Sequence, residues 1–248
     1  MEEKLVEIFR TLWSIIPGQT EFWSAILGAV VGGSIAYMIQ VRALREGRRQ
    51  RDEDHNRLQQ ALGNSLLFKM IRVHSNFYGV QQHIEDSFAE AARRGHKGEP
   101  WQFVRPLANP PDPVHFSSDE MGMVLGLKNA DVFNSVLQMD VIHNSLIATV
   151  RVLNIERRAL TERLKVDEAE GPVLSSTLDK DQVLALRPRM IDVNSLIVSV
   201  RADAKRGFEE SDQALNGLHE MLRDKLGIAY KLEFRVKPKA DIATRNTN

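Results

Sequence analysis

Cysteine is absent from all 248 residues. That excludes disulfides and thiolate metal sites, and it suits a reducing compartment for the bulk of the chain. Aromatic residues make up only 6%, and no net charge remains, because 33 lysine and arginine residues balance 33 aspartate and glutamate residues. Without a net basic field there is no electrostatic footprint for nucleic acid, so none is expected as a partner. Glycine-rich phosphate loops, nucleophile elbows and two-histidine helix motifs are all missing. No catalytic residue, cofactor or metal ligand is assigned on this ground. Alanine, leucine, arginine and glutamate are plentiful and lean helical, and the length allows one large domain or two small ones.

One stretch lacks formal charge altogether. The eighteen residues from Phe22 to Ile39, FWSAILGAVVGGSIAYMI, come near the lower limit that a hydrocarbon core of about 30 Å sets for a helix. Phe22, Trp23 and Tyr37 lie towards its ends, where aromatic rings favour the headgroup zone. A buried soluble helix would show a polar face, which this one lacks. A signal peptide would begin basic; Ser34-Ile35-Ala36 resembles a cleavage site, but Glu2, Glu3, Glu7 and Glu21 outnumber Lys4 and Arg10. The expectation is a transmembrane helix over 20–41, preceded by an amphipathic segment over 1–19 that Pro17-Gly18 breaks off.

Arg42, Arg45, Arg48, Arg49 and Arg51 follow the span, opposed there only by Glu46. The arginine bias of cytoplasmic flanks places the N-terminus outside and the C-terminal domain inside, with these side chains near anionic lipid. Residues 42–57 read as a charged juxtamembrane stalk. Within the span, Gly28, Gly32 and Ala36 form one row of small residues and Ala25, Ala29 and Gly33 a second. Such rows let helix backbones approach closely in lipid, so the chain is expected to be a homo-oligomer associating through this face.

Beyond the stalk, residues 58–227 read as a cytosolic helical bundle. Leu62, Leu66, Met70, Val73, Phe77, Val80, Ile84 and Phe88 step by threes and fours. A connection with five prolines between Pro100 and Pro113 follows, with Trp101 and Phe103 as its anchors. Ser117 and Glu120 form a capping box opening a short helix. Val132, Val136, Met139, His143, Leu146, Val150, Leu153, Arg157, Leu160 and Leu164 keep a heptad seam, pairing within or between subunits. An acidic link leads to a last helix carrying Val183, Leu186, Met190, Val193, Ile197, Val200, Ala204, Phe208, Leu215, Leu218 and Leu222. Pro188 should kink that helix or mark its start, and Gly227 should close it. The fold class expected is all-α: an N-terminal transmembrane helix continuous with an elongated, coiled-coil-like antiparallel bundle. Residues 228–237 alternate as a strand, for which "WQFV" at 101–104 is the nearest pairing candidate. That strand could instead pair with a protein partner, and residues 228–248 end the chain as strand-like segment and tail.

Two polar residues fall in the apolar seam. His143 is expected as a hydrogen-bonded core histidine, although Asp140 three residues earlier has the spacing of a di-metal carboxylate–histidine pair. Arg157 is expected to pair with a buried acid or to mark a subunit contact. Arg49 and His55 match the loose arginine–histidine spacing of helical ribonuclease-type domains, but in the stalk. The stretches "GEPWQFVRPLANPPDPVHFSSDE" and "NADVFNSVLQMDVIHNSLIATVRVLNIERRALTERL" resemble a group of uncharacterised bacterial proteins with one N-terminal span and a helical cytosolic domain. That resemblance covers most of residues 20–165 and implies a bacterial inner membrane without transferring any site residue. The leading expectation is a non-enzymatic scaffold, sensor or docking module. The alternatives are a membrane-perturbing effector and a helical hydrolase using His74 or His143.

Overall fold

The computed structural model of the chain describes residues 19–164, 168–170, 173–175 and 180–228. Among them the chain is all-α apart from one small ribbon. The elements are α1 (Gln19–Arg93), α2 (Pro100–Phe103), α3 (Ser118–Gly126), α4 (Ala130–Arg163), β1 (Glu168–Glu170), β2 (Val173–Ser175) and α5 (Lys180–Leu226). The chain divides into two compact units, residues 1–57 and 58–248, and α1 contributes to both.

In the first unit, no proline interrupts the sequence from Gln19 onward, so α1 runs without a break. Its N-terminal part is long and apolar enough to cross a membrane, with a mean hydropathy of 1.7 and none of that stretch buried. Residues 48–57 are exposed all round, with Arg49 and Glu53 joined one turn apart at 2.8 Å.

In the second unit, the predicted stripes meet as a core. Leu66, Met70, Val73, Phe77, Val80 and Ile84 of α1 are buried, as is every member of the α4 seam from Val132 to Leu164. The seam therefore pairs within the chain. On α5, Leu186 to Leu222 follow their predicted stripe inward, but Val183 is 40% exposed and Phe208 is only partly buried. Cross-contacts fix the directions. Phe77 meets His143 on α4, Glu85 meets Arg201 and His74 meets Ser211 on α5, and Glu156 meets Arg189 while Gln138 meets Glu210. The 58–93 part of α1 and α4 are thus parallel, and α5 is antiparallel to both.

Parallel neighbours need a return connection, and residues 94–129 supply it. Gly95, at φ +68°, turns the chain off the end of α1. Trp101 and Phe103 are buried, as predicted, but in the one-turn helix α2 rather than in a strand, because Pro100 sits at the first helical position and Glu99 and Gln102 complete a capping box. Residues 104–116 form a non-helical strap, bent at 108–109, that touches α1 at Arg72 and His83 and α4 at Asn144, Arg151 and Asn154. The Ser117–Glu120 capping box then opens α3 as expected.

Two expectations change and one falls outside the described residues. The link after α4 contains a ribbon, β1 antiparallel to β2 with Ala169 opposite Leu174. Pro188 does not start the last helix: α5 begins at Lys180 and runs through it. The alternating segment proposed as a strand lies outside the described residues except Ile228, which is buried and non-helical after Gly227 (φ +68°) ends α5.

Candidate functional site

In the first unit, Gly28, Gly32, Gly33 and Ala36 all lie on exposed helix. A Cβ added at any of the three glycines would meet nothing within 4 Å. Glycine lowers helix stability by about 1 kcal/mol against alanine, so helix propensity does not explain this concentration, and neither does any contact among the described residues. The Ser34 hydroxyl donates to the Val30 carbonyl at 2.7 Å, so it is used inside its own helix rather than lining a polar path. Arg42, Arg45, Arg48, Arg49 and Arg51 are exposed. Arg49 is held by Glu53, whose carboxylate raises the guanidinium above its ordinary range, and Arg51 Nε donates to the Gly47 carbonyl at 3.1 Å.

The second unit has its densest polar cluster where the strap crosses α4. A strap with prolines at 106, 110, 111 and 113 cannot form a backbone ladder with anything, so side chains hold it instead. Asn144 accepts from the Val114 N–H at 3.1 Å and donates to the Val114 carbonyl at 2.9 Å. Asn154, three turns on, does the same at Leu107, with both bonds at 2.9 Å. Asn194 of α5 accepts from the Trp101 N–H at 2.9 Å and donates to the Glu99 carboxylate at 2.6 Å. At Asn144 and Asn154 the carboxamide matches the peptide group donor for acceptor, so these two side chains read backbone rather than sequence, while Asn194 joins one backbone N–H to a carboxylate.

His143 lies directly beneath, with 0% exposure. Its Nε2 accepts from Asn76 Nδ2 at 3.0 Å, and its Nδ1 donates to Asn144 Oδ1 at 3.2 Å. Val114 already fixes which end of Asn144 is oxygen, so Nδ1 carries a proton, and with Asn76 donating to Nε2 the imidazole is neutral. Burial pushes its pKa below the ordinary histidine value, against the pull of Asn144 and Asp140. Asp140 itself accepts from Asn144 Nδ2 at 3.2 Å. With both ring nitrogens occupied, His143 is not available as a ligand, and no cluster of three metal-binding side chains exists among the described residues.

Arg157 departs from expectation. It is 3% exposed, yet no carboxylate among the described residues pairs with it. Its Nη1 donates to Thr161 Oγ1 at 2.6 Å, its Nε to the Val104 carbonyl at 3.4 Å, and its guanidinium lies 5.8 Å from the Trp101 ring centre. Burial alone lowers its pKa. The reason no acid is needed is geometric: a planar five-donor group can be satisfied by carbonyl, hydroxyl and ring face together. Arg157 thus fastens the upper end of the strap.

His74, the other histidine proposed for hydrolysis, lies 2.9 Å from Ser211 Oγ. Ser211 is fully buried and donates its own proton to the Phe208 carbonyl. The histidine nitrogen facing it must therefore be a donor, the reverse of what a nucleophile–base pair requires. Sequence reasoning missed Asn144 and Asn154, and it missed the burial of Glu120, whose carboxylate joins Lys69 at 2.8 Å and Ser65 at 2.6 Å. Only the capping-box spacing of Glu120 gave a signal; isolated asparagines in a helix give none. An open cleft of about 480 Å³ lies at the end of α1 between His83, Glu90, Arg93, Arg94, His96 and Arg105. Its two adjacent arginines are already spent on Glu90, at 2.5 and 2.6 Å.

Set against known proteins, the chain matches no family model, no curated protein and no solved structure. The geometry alone therefore carries the functional argument.

Proposed function

We propose that this is a single-pass inner-membrane protein of bacterial type, with its N-terminus outside and a cytosolic helical bundle that serves as a scaffold, sensor or docking module. The carrying observation is the uncharged stretch of α1, none of which is buried. In water an unpacked apolar helix of that length would be an aggregation surface, whereas in lipid it is the ordinary state. The five arginines that follow supply the orientation. The open glycine row suits close packing of one span on another copy, which makes the protein a homo-oligomer. Non-catalytic work fits the second unit, whose buried histidines and serine are engaged in fixed hydrogen bonds.

The absence of cysteine makes topology directly measurable. Thr11→Cys and Thr247→Cys each create a single thiol in a chain that has no other. With a membrane-impermeant maleimide, Thr11→Cys should label in intact cells and Thr247→Cys only after lysis. Equal labelling of both before lysis, or recovery of the protein in the soluble fraction, would overturn the reading.

A further inference from the structure

The strap roofs a groove whose two walls it ties together. Asp112 reaches Arg72 of α1 at 3.9 Å and Arg151 of α4 at 3.5 Å. His143 forms the floor, and one carboxamide oxygen, that of Asn144, accepts from both the imidazole and the strap backbone at Val114. On the opposite side of the ring, Asn76 presents a donor. We infer that residues 104–116 form a proton-coupled latch, closed over a neutral His143 and opened when that imidazole takes up a proton. The inference concerns residues 58–228 alone and stands whether or not the chain is membrane-anchored.

A second ring proton would sit on Nε2, donor against donor with Asn76, inside a site that water does not reach. The charges around it give little relief. Arg72 on α1 opposes a new cation, as does His115 on the strap. Asp140 on α4 favours it but is shared with Asn144 and lies 3.9 Å from His115. At this level α5 contributes the backbone of Gly207, which abuts Phe77. Turning the Asn76 carboxamide would offer Nε2 an oxygen but leave the cation without water, so hydrating the imidazolium requires moving something. The α1–α4–α5 contacts are continuous buried apolar seams, whereas the strap sends only Val104 and Val114 fully into the core, with Leu107 and Phe116 packed against it, and is otherwise held by carboxamide pairs and by an aspartate whose side chain is 78% exposed. Lifting the strap is the less costly opening. The sign follows from linkage. Burial favours the neutral ring when the latch is closed, so the open form binds more protons. Closure is fully favoured above about pH 6.5, the ordinary histidine value, and weakens by up to about tenfold per unit as pH falls below it.

Amide hydrogen exchange on the full-length protein in lipid nanodiscs, at pH 7.5, 6.5 and 5.5 and corrected for intrinsic exchange, tests this. The Val114 and Leu107 amides should lose up to about tenfold protection per unit below pH 6.5, while the Ile197 and Leu215 amides in the α5 core hold. His143→Gln should abolish the dependence and His115→Gln should leave it. Three results overturn the latch: protection at Val114 that does not change with pH, loss shared equally with the α5 core, or a dependence that disappears in His115→Gln. Should His143→Gln fail to fold, the wild-type comparison of strap with core and the His115 variant still decide the matter.

Discussion

Glu120 is a carboxylate with 2% exposure, and what keeps it ionised is a set of three donors. Burial pushes its pKa up, but Lys69, Ser65 and the Ser117 amide together outweigh that and hold it below the usual carboxylate range. Its spacing from Ser117 makes the capping box legible in sequence; its burial against α1 is not, since Ser65 and Lys69 lie more than fifty positions away. Replacing Lys69 by Met leaves the carboxylate with two neutral donors and should cost about 2 kcal/mol, towards the low side because the lysine is one-third exposed. A lowered urea midpoint would report it. The same change in a Glu120→Gln background should cost much less, and equal losses in the two backgrounds would mean that the ion pair contributes nothing.

Gly207 on α5 owes its identity to a neighbouring element. A Cβ there would collide with the ring of Phe77, a fully buried side chain of α1. Gly207→Ala should therefore lower stability by about 1–3 kcal/mol through overpacking, although alanine is the better helix former. Combining it with Phe77→Leu should recover part of the loss; a stabilised Gly207→Ala, read by thermal melting, would show the contact to be slack. The α4 heptad was readable because burial follows the period it was read from, and the structure adds that the seam closes within the chain. An outer stripe is also apolar: Val141 and Ile155 are 63% and 64% exposed. Of the two readings of Pro188, a proline inside the helix or one at its start, the structure has the first. The carbonyl that Pro188 leaves without an N–H partner belongs to Leu184, a residue 59% exposed, so it is open to solvent and the helix continues.

For the molecule as a whole, the glycine row and the seam ask the same question, namely what each apolar surface is for. The seam is answered inside the chain. The row at Gly28, Gly32 and Ala36 is not, because among the described residues nothing lies within 4 Å of a Cβ added at either glycine. Light scattering of the detergent-solubilised protein should give an oligomer for the wild type and a monomer for Gly28→Leu/Gly32→Leu. An unchanged mass in the double variant would place assembly in residues 58–248 and remove the span from it.

The sequence by itself determined the helical class, the charge-free stretch, the periodic faces and the capping box, all of which are local regularities with a period of a few residues. Only the tertiary structure decided that the seam pairs within the chain, that α1 and α4 run parallel with a proline-rich strap between them, and that Arg157 is buried with no acid beside it among the described residues. It also decided that three scattered asparagines hold backbone. These outcomes depend on which distant residues meet, and a carboxamide or a guanidinium takes its role from the group it meets rather than from its place in the chain.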